Sequence, residues 1–176
     1  MKTSPLIRVD ENYQTDSYLL HSDGERLYIV TNSNAPNQKL IVVNARKPQE
    51  KYWKDFIPEG KYVLSPTAGG GYFFARYIAD VITKVIQYDM DGVNMGEIKL
   101  PGLGTASGWS GKKDQEVLYY SFTNYHSPSQ IYSYNPKTKT SIKYWEPRID
   151  FDSNDYKSEQ IFYKSEDLSL IHISEP

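Results

Sequence analysis

The segment GWSGK at residues 108–112 contains the residue types of a serine nucleophile elbow. In the G-x-S-x-G elbow, a strained turn between a strand and a helix exposes the serine hydroxyl for attack on an acyl carbon. Here the second glycine comes one position early, and Lys112 occupies the place of the motif's last glycine. The run VLYYSF that follows predicts a strand rather than a helix. We therefore interpret Ser110 as a turn serine without a catalytic role.

Two glycine-rich segments could in principle bind charged groups. GGGY at residues 69–72 has the composition of an oxyanion-hole loop, but such a loop acts only beside a nucleophile. GLGTAS at residues 102–107 begins like a dinucleotide-binding fingerprint, yet Ser107 replaces its last glycine and no strand–helix unit surrounds it. Both segments are predicted to be connections between strands, and no cofactor is expected.

The segment QYDMDG at residues 87–92 has some of the letters of a calcium-binding loop. The first position of that loop needs a carboxylate and the twelfth a bidentate glutamate, whereas this chain has Gln87 and Ile98 there. Asp91–Gly92 is instead typical of a hairpin turn. His21 and His126 lie in or beside connections without a paired metal spacing, so we predict no catalytic, cofactor-binding or metal-ligating residue in this chain.

Composition restricts the partners further. The 176 residues carry a net charge of −2 with no cluster of Lys and Arg, so neither nucleic acid nor membrane is expected as a partner. There is no cysteine for a disulfide or a thiolate metal site, and no apolar run long enough to span a bilayer. The N-terminus lacks the apolar core of a signal peptide, which favours a cytoplasmic location. A periplasmic location stays open if a signal precedes Met1.

An internal repeat is the most informative feature of the sequence. TNSNAPNQ at residues 31–38 recurs as TNYHSPSQ at residues 123–130, identical at the Thr, Asn, Pro and Gln positions with an offset of 92. Half of that offset is 46, and sliding residues 27–44 forward by 45 places them on residues 72–89. Repeats of this period indicate architectures built from stacked supersecondary units.

The middle copy allows two interpretations. The apolar residues of 78–86 recur at i, i+3, i+4, i+7 and i+8, the stripe of an amphipathic helix. In the other two copies, however, the equivalent positions hold Pro, Asn and Ser, which break helices and form turns. We therefore predict that residues 27–44, 72–89 and 119–135 each form a β-hairpin, with the helix as the alternative.

Each repeat contains four short predicted strands separated by turn segments such as SDGER, AGGG and GKKDQ. The 16 tyrosines fit this interpretation, because aromatic side chains pack well on pleated sheets. Four strands in about 45 residues is the size of a β-propeller blade. The predicted fold is all-β: a partial propeller of about three four-stranded antiparallel blades within residues 15–147.

With the blades placed, three segments carry a family resemblance: KYWKDFIPEGKYVL, GWSGKKDQEVLYYSFTNYHSPSQIYSYNPKT and DFDSNDYKSEQIFYKSED. They resemble the later blades of prolyl oligopeptidase, over about residues 12–167. The resemblance implies a seven-bladed propeller joined to an α/β-hydrolase domain that cleaves short peptides after proline. The propeller would cover the active site and filter peptides by size, and the catalytic residues would lie outside this chain.

The resemblance also implies a division of the chain. Residues 1–147 would be propeller blades and residues 148–167 the crossing toward the hydrolase domain. The last nine residues, LSLIHISEP, depart from the family and match a translation of the codons ctg tct ctt ata cac atc tcc gag ccc. That DNA resembles a transposon-end sequencing adapter, so we interpret Leu168–Pro176 as a non-native tail that packs on nothing specific. The alternative is a genuine short strand.

Two other functions stay open at this stage. A related oligopeptidase that cleaves after basic residues would have a similar propeller. A non-catalytic propeller would present a binding surface instead, and the coding sequence beyond residue 167 would then close the ring or end. A peptidase would continue into a hydrolase domain.

Overall fold

The structure is a computed structural model that describes residue 9, residues 14–148, and the backbone of residues 159–164 and 170–175. Residues 17–145 form three four-stranded sheets in which neighbouring strands are antiparallel and follow chain order. The first sheet contains β1 (Ser17–Asp23), β2 (Arg26–Thr31), β3 (Lys39–Asn44) and β4 (Lys54–Ile57), with a 3-10 turn at Glu50–Tyr52 before β4. The second contains β5 (Ser65–Gly69), β6 (Tyr72–Ala79), β7 (Ile82–Tyr88) and β8 (Asn94–Glu97). The third contains β9 (Thr105–Gly108), β10 (Leu118–Asn124), β11 (Ser127–Asn135) and β12 (Thr140–Trp145).

This arrangement confirms the predicted fold class, an all-β partial propeller of three blades. The three predicted hairpins are also confirmed, and each forms the two central strands of its sheet. In the middle copy, β6 and β7 pair from Phe73 opposite Tyr88 to Ala79 opposite Ile82, which excludes the helix. The apolar stripe is divided between two strands: Ile78 lies near the end of β6, and Ile82, Val85 and Ile86 belong to β7. Val85 and Ile86, adjacent on β7, pack into the cores on opposite faces of the sheet, as expected of a strand rather than a helix.

The C-terminal tail differs from the prediction. The backbone of β14 (Leu170–Glu175) pairs antiparallel with β13 (Glu159–Lys164), so the tail does have a partner there. A physical reason lies in its sequence, in which Ile171 and Ile173 alternate with polar residues and favour a strand whatever their origin. The adapter origin of residues 168–176 stays a prediction.

The three sheets stack face to face, and the core lies between them. Phe73 and Phe74, adjacent on β6, point to opposite faces of the second sheet. Phe73 packs against the first sheet, with its ring 4.6 Å from Tyr28 and 5.0 Å from Phe56. Phe74 packs against the third sheet, where Trp109 stacks on Tyr120 at 4.4 Å. Each blade therefore depends on its neighbours to cover its apolar side chains.

A buried polar bridge also joins the second and third sheets. The Tyr134 hydroxyl donates to Gln87 Oε1 at 2.6 Å, and Gln87 Nε2 donates to the Pro136 carbonyl at 2.9 Å. Gln87 and Tyr134 have no exposed surface. Burial raises the pKa of Tyr134 above its ordinary value, so the hydroxyl keeps the proton that it donates. The oxygen and the nitrogen of the Gln87 side-chain amide therefore each have a hydrogen-bond partner within the core.

We expect Tyr134→Phe to lower the free energy of unfolding by about 1–2 kcal/mol, because Gln87 Oε1 would lose its donor in a buried site. Urea unfolding measured at neutral pH would give the difference. Tyr144→Phe is the matched control: this tyrosine is largely exposed, and we expect a change within about 0.5 kcal/mol. Equal losses in the two variants would contradict the role of the bridge.

Candidate functional site

The serine and glycine segments with catalytic letters lie in connections. Ser110 is exposed in the loop between β9 and β10, where no helix follows. Gly70 and Gly71 form the β5–β6 turn with φ angles of 60° and 77°, which glycine adopts without strain. Residues 102–104 end the connection into β9. The structure does bring residues 69–72 and 108–112 into backbone contact, with the Gly70 amide donating to the Lys112 carbonyl. It does not place Ser110 on the strand-to-helix turn that a nucleophile elbow requires.

The remaining candidates are also separate from one another. Gln87 belongs to the core bridge, and Asp91–Gly92 forms the predicted β7–β8 turn, in which Asp89 Oδ1 accepts from the Asp91 and Val93 amides. His21, in β1, packs against the rings of Tyr28 and Phe73, so it lies on the edge of an aromatic cluster rather than in a connection. His126 lies in the β10–β11 turn.

Within the part of the chain that the structure describes, no group of three or more His, Cys, Asp or Glu side chains could hold a metal ion. The same residues contain no helix that is long and apolar enough to cross a membrane.

The connections between strands divide into two opposite faces. One face contains the β2–β3, β4–β5, β6–β7, β8–β9 and β10–β11 connections, and hydrogen bonds link their neighbours. Asn37 Nδ2 donates to the Gly60 carbonyl at 3.1 Å, and the Tyr62 hydroxyl donates to Asp80 Oδ2 at 3.3 Å. The Thr83 amide, at the start of β7, donates to the Gly104 carbonyl at 3.0 Å.

This first face presents large apolar side chains to solvent. Five large apolar side chains on this face are between 46% and 58% exposed. They come from four connections and the strand end beside one of them: Val63, Ile78, Val81, Leu103 and Tyr125. A groove of about 570 Å³ lies beside them, with Ile82 and Leu100 among its lining residues. We call this surface the apolar face.

Val81 has a backbone conformation that valine rarely adopts. Asp80 and Val81 form the two-residue β6–β7 turn with φ angles of 51° and 68°. Turns of this type favour Asn-Gly or Asp-Gly, because a β-branched side chain is strained at positive φ. A strained, half-exposed valine where glycine would fit better points to a use for its side chain outside the fold of the blade.

The opposite face is charged. It contains the β1–β2, β3–β4, β5–β6, β7–β8, β9–β10 and β11–β12 connections. Four ion pairs lie there, and their N–O distances are 2.5 to 3.6 Å: Arg26–Asp91, Arg46–Glu25, Lys113–Asp23 and Lys137–Glu116. We call this surface the charged face. Such side chains are well hydrated, whereas contiguous exposed apolar residues mark interaction sites. The charged face also exposes Val93 and Val117, but it has fewer large exposed apolar side chains than the apolar face.

Comparison with known proteins identifies the family. The family described as "Prolyl oligopeptidase, N-terminal beta-propeller domain" matches residues 2–147. The chain belongs to the prolyl oligopeptidase family. Its curated relatives include prolyl endopeptidases from Elizabethkingia meningoseptica, 42% identical over 165 residues, and from Dictyostelium discoideum, 30% identical over 159 residues. These alignments cover 94% and 84% of this chain but only 23% and 21% of the relatives.

Solved structures of the family have the same fold. Prolyl oligopeptidase B from Galerina marginata superposes with a TM-score of 0.84 at 26% identity, covering 95% of this chain and 24% of that protein. A structure from a study of two prolyl endopeptidases and their inter-domain dynamics gives a TM-score of 0.83 at 28% identity, covering 94% of this chain and 25% of that one. The chain thus spans about a quarter of the length of the relatives that it matches.

The apolar face was not predicted from the sequence. A signal was available, because Val63, Val81, Leu103 and Tyr125 occupy connections, where polar residues and glycine are usual. Each residue alone is unremarkable as a surface apolar side chain. Only the fold, which brings five of them to one face, gives the pattern a meaning.

Proposed function

We propose that this chain is part of the propeller lid of a serine peptidase that hydrolyses short peptides after proline. The catalytic serine, histidine and aspartate would lie in an α/β-hydrolase domain of the same full-length protein. The main support is the family match over residues 2–147 together with prolyl endopeptidases among the most similar relatives. A relative that cleaves after basic residues is the second candidate, since the specificity pocket would lie mostly in the hydrolase domain.

The apolar face supplies a structural argument for the lid. A lid must cover a second domain on one side and meet solvent on the other, and the two faces of these blades differ in that way. We therefore propose that Val63, Ile78, Val81, Leu103 and Tyr125 face the hydrolase domain. Residues 148–167 would form the crossing to it, and residues 168–176 would be replaced by native sequence.

A lid would select substrates by size rather than by chemistry. The blades are joined by well-packed aromatic interfaces, so a folded protein could not pass between them without opening a core. Short or unstructured peptides would reach the active site and folded proteins would not. The propeller itself would not lower the barrier to amide hydrolysis, which needs a nucleophile, a base and an oxyanion hole.

The activity test compares two proteins. The 176-residue chain is expected to show no cleavage of a short fluorogenic peptide with proline before the scissile bond. The full-length gene product is expected to cleave it and to lose that activity when its elbow serine is changed to alanine. A peptide with arginine in place of proline tests the second candidate.

Aggregation of the short chain through its open blade faces must be excluded by light scattering before its inactivity is interpreted. A full-length sequence that closes the propeller and then ends, with no G-x-S-x-G elbow, would overturn the peptidase proposal and favour a binding module.

We expect Val81→Gly to raise the free energy of unfolding of this chain by about 0.5–1 kcal/mol, because glycine adopts a φ of 68° without steric strain. In the full-length protein the same change removes an apolar contact from the proposed domain interface. We therefore expect hydrogen exchange at that interface to become faster while the blade becomes more stable.

Val93→Gly is the matched control. Val93 is also exposed, but it lies on the charged face and is not among the residues with positive φ. Here glycine adds only flexibility, and we expect a small loss of stability with no change at the domain interface. A loss of stability in both variants would argue against strain at Val81.

A further inference from the structure

The β9–β10 loop reaches from the third blade across the second. Residues 109–115 of this loop, which we call the strap, run beneath the β5–β6 turn on the charged face. The Gly70 amide donates to the Lys112 carbonyl at 2.8 Å, and the Gly111 amide donates to the Ala68 carbonyl at 3.1 Å. The strap is thus hydrogen-bonded in both directions to the end of β5 and the turn that follows it.

The contact between strap and turn is backbone against backbone. A Cβ atom added to Gly69 would lie 2.7 Å from the Gly111 amide nitrogen and 2.8 Å from the Trp109 carbonyl oxygen. No side chain fits at these distances, so glycine is required for the approach. Trp109, at the start of the strap, is buried and stacks on Tyr120, which fixes that end to the third blade.

The far end of the strap reaches the first blade. Lys113 Nζ donates to Asp23 Oδ1 at 2.9 Å, where β1 ends. The side chains remain 54% and 39% exposed. The hydrogen bond from the Lys113 ammonium holds the pKa of the Asp23 carboxyl below its ordinary value, so the pair is ionised at neutral pH. Within the described residues, this ion pair joins the first blade to the third.

The strap lies at the inner ends of the blades. In a propeller the sheets surround a central channel, and the edge strand of each sheet lies along it. The first strands take this place here, because β1 and β5, the first strands of neighbouring sheets, contact each other. Asp23 ends β1, Gly69 ends β5 and the strap follows β9, so all three meet at the mouth of the channel on the charged face.

We propose that the strap is a latch that ties three successive blades at this mouth, with the Lys113–Asp23 pair as its releasable end. The latch limits how far the inner ends of the blades separate. If the chain is part of a size-filtering lid, as proposed above, the latch also contributes to the upper limit on the peptides that pass. This assigns a size-selecting role to two residues far from the apolar face.

The chemistry of the pair suits a releasable contact. A half-exposed ion pair is worth enough to shift an opening equilibrium by about two- to fivefold, and salt weakens it further. The close glycine contacts fix the position of the strap against the β5–β6 turn. The ion pair determines how often the far end of the strap separates from the first blade. Raising the ionic strength should therefore mimic loss of the pair.

The test uses hydrogen exchange of the full-length protein at the Gly70 and Gly111 amides, which the strap protects. Lys113→Asp is expected to accelerate their exchange by about two- to fivefold, and the exchanged pair Lys113→Asp with Asp23→Lys to restore it. Glu116→Lys is the matched control, because it breaks the Lys137–Glu116 ion pair of the same face within the third blade only. It should leave both amides unchanged.

Peptide size gives the second readout. For Lys113→Asp we expect the ratio of the cleavage rate of a long proline peptide to that of a short one to rise by about two- to fivefold. The exchanged pair Lys113→Asp with Asp23→Lys should restore the original ratio. Unchanged amide exchange in Lys113→Asp, or equal acceleration in Glu116→Lys, would overturn the latch. Faster exchange with an unchanged ratio would overturn its role in size selection. Absence of peptidase activity would refute the proposed function, while amide exchange would still test the latch.

Discussion

Replacing Phe74 with alanine is expected to lower the free energy of unfolding of the chain by about 3–5 kcal/mol, the range for a large aromatic residue removed from a packed core. Phe74 has no exposed surface and lies at the centre of the interface between the second and third blades. Its ring is 6.3 Å from that of Trp109 and 6.0 Å from that of Tyr134. Because both neighbours are held by their own stacking and hydrogen bonds, the cavity cannot close.

Ile78→Ala, on the same strand, is the control for Phe74→Ala. Ile78 points to solvent on the apolar face, so we expect its truncation to change stability by no more than about 0.5 kcal/mol. Urea unfolding followed by tryptophan fluorescence would measure both, and Trp109 reports directly on the affected interface. A loss below 1 kcal/mol for Phe74→Ala would mean that the blades are not packed against each other as described.

The second large effect is expected at Gly104, where the connection from the second blade enters the third. A Cβ atom there would lie 2.3 Å from the Thr123 carbonyl oxygen and 2.8 Å from the Phe122 ring. Thr123 pairs with Thr105 across the β9–β10 ladder, so the backbone cannot retreat without breaking it. We expect Gly104→Ala to cost about 3 kcal/mol, at the upper end for overpacking.

Gly102 offers a control two residues away in the same connection. An added Cβ atom there meets nothing within 4 Å. Gly102→Ala should be neutral or stabilising by up to about 1 kcal/mol, because alanine restricts the unfolded chain. Thermal unfolding of the two variants in parallel separates steric exclusion at Gly104 from a general effect of alanine in this segment. Similar melting temperatures for both would contradict the close approach of Gly104 to β10.

The sequence was sufficient to predict those parts of the fold that depend on local chemistry. Turn residues and alternating apolar residues placed the three hairpins, and the repeat fixed four strands per blade. The turn at Asp80–Val81 was harder, because valine is a poor turn residue, and only comparison with the other two copies identified it. The backbone strain at Val81 comes from the positive φ that this turn imposes, and the residue type alone does not show that conformation.

Contacts between blades were not predictable in the same way. No sequence pattern predicts that Asp23 contacts Lys113, ninety residues later, or that Gln87 contacts Tyr134. These contacts depend on how one sheet is placed against the next, which local propensity does not encode. The tail shows the converse: its alternating Ile residues favour a strand, and the expectation that residues 168–176 would find no partner was wrong, because their backbone pairs with β13.

The two faces of β6 have a consequence for how such a protein can evolve. Phe73 meets a Tyr–Phe cluster on one side, whereas Phe74 meets a Trp–Tyr stack and the Gln87 bridge on the other. Although the blades share a repeat, their mating surfaces are not interchangeable. Duplication, deletion or shuffling of a single blade would join surfaces that do not fit. The order of the blades is therefore fixed by the complementary side chains of neighbouring blades as well as by the gene. This restricts later change to substitutions within blades and insertions in their connections.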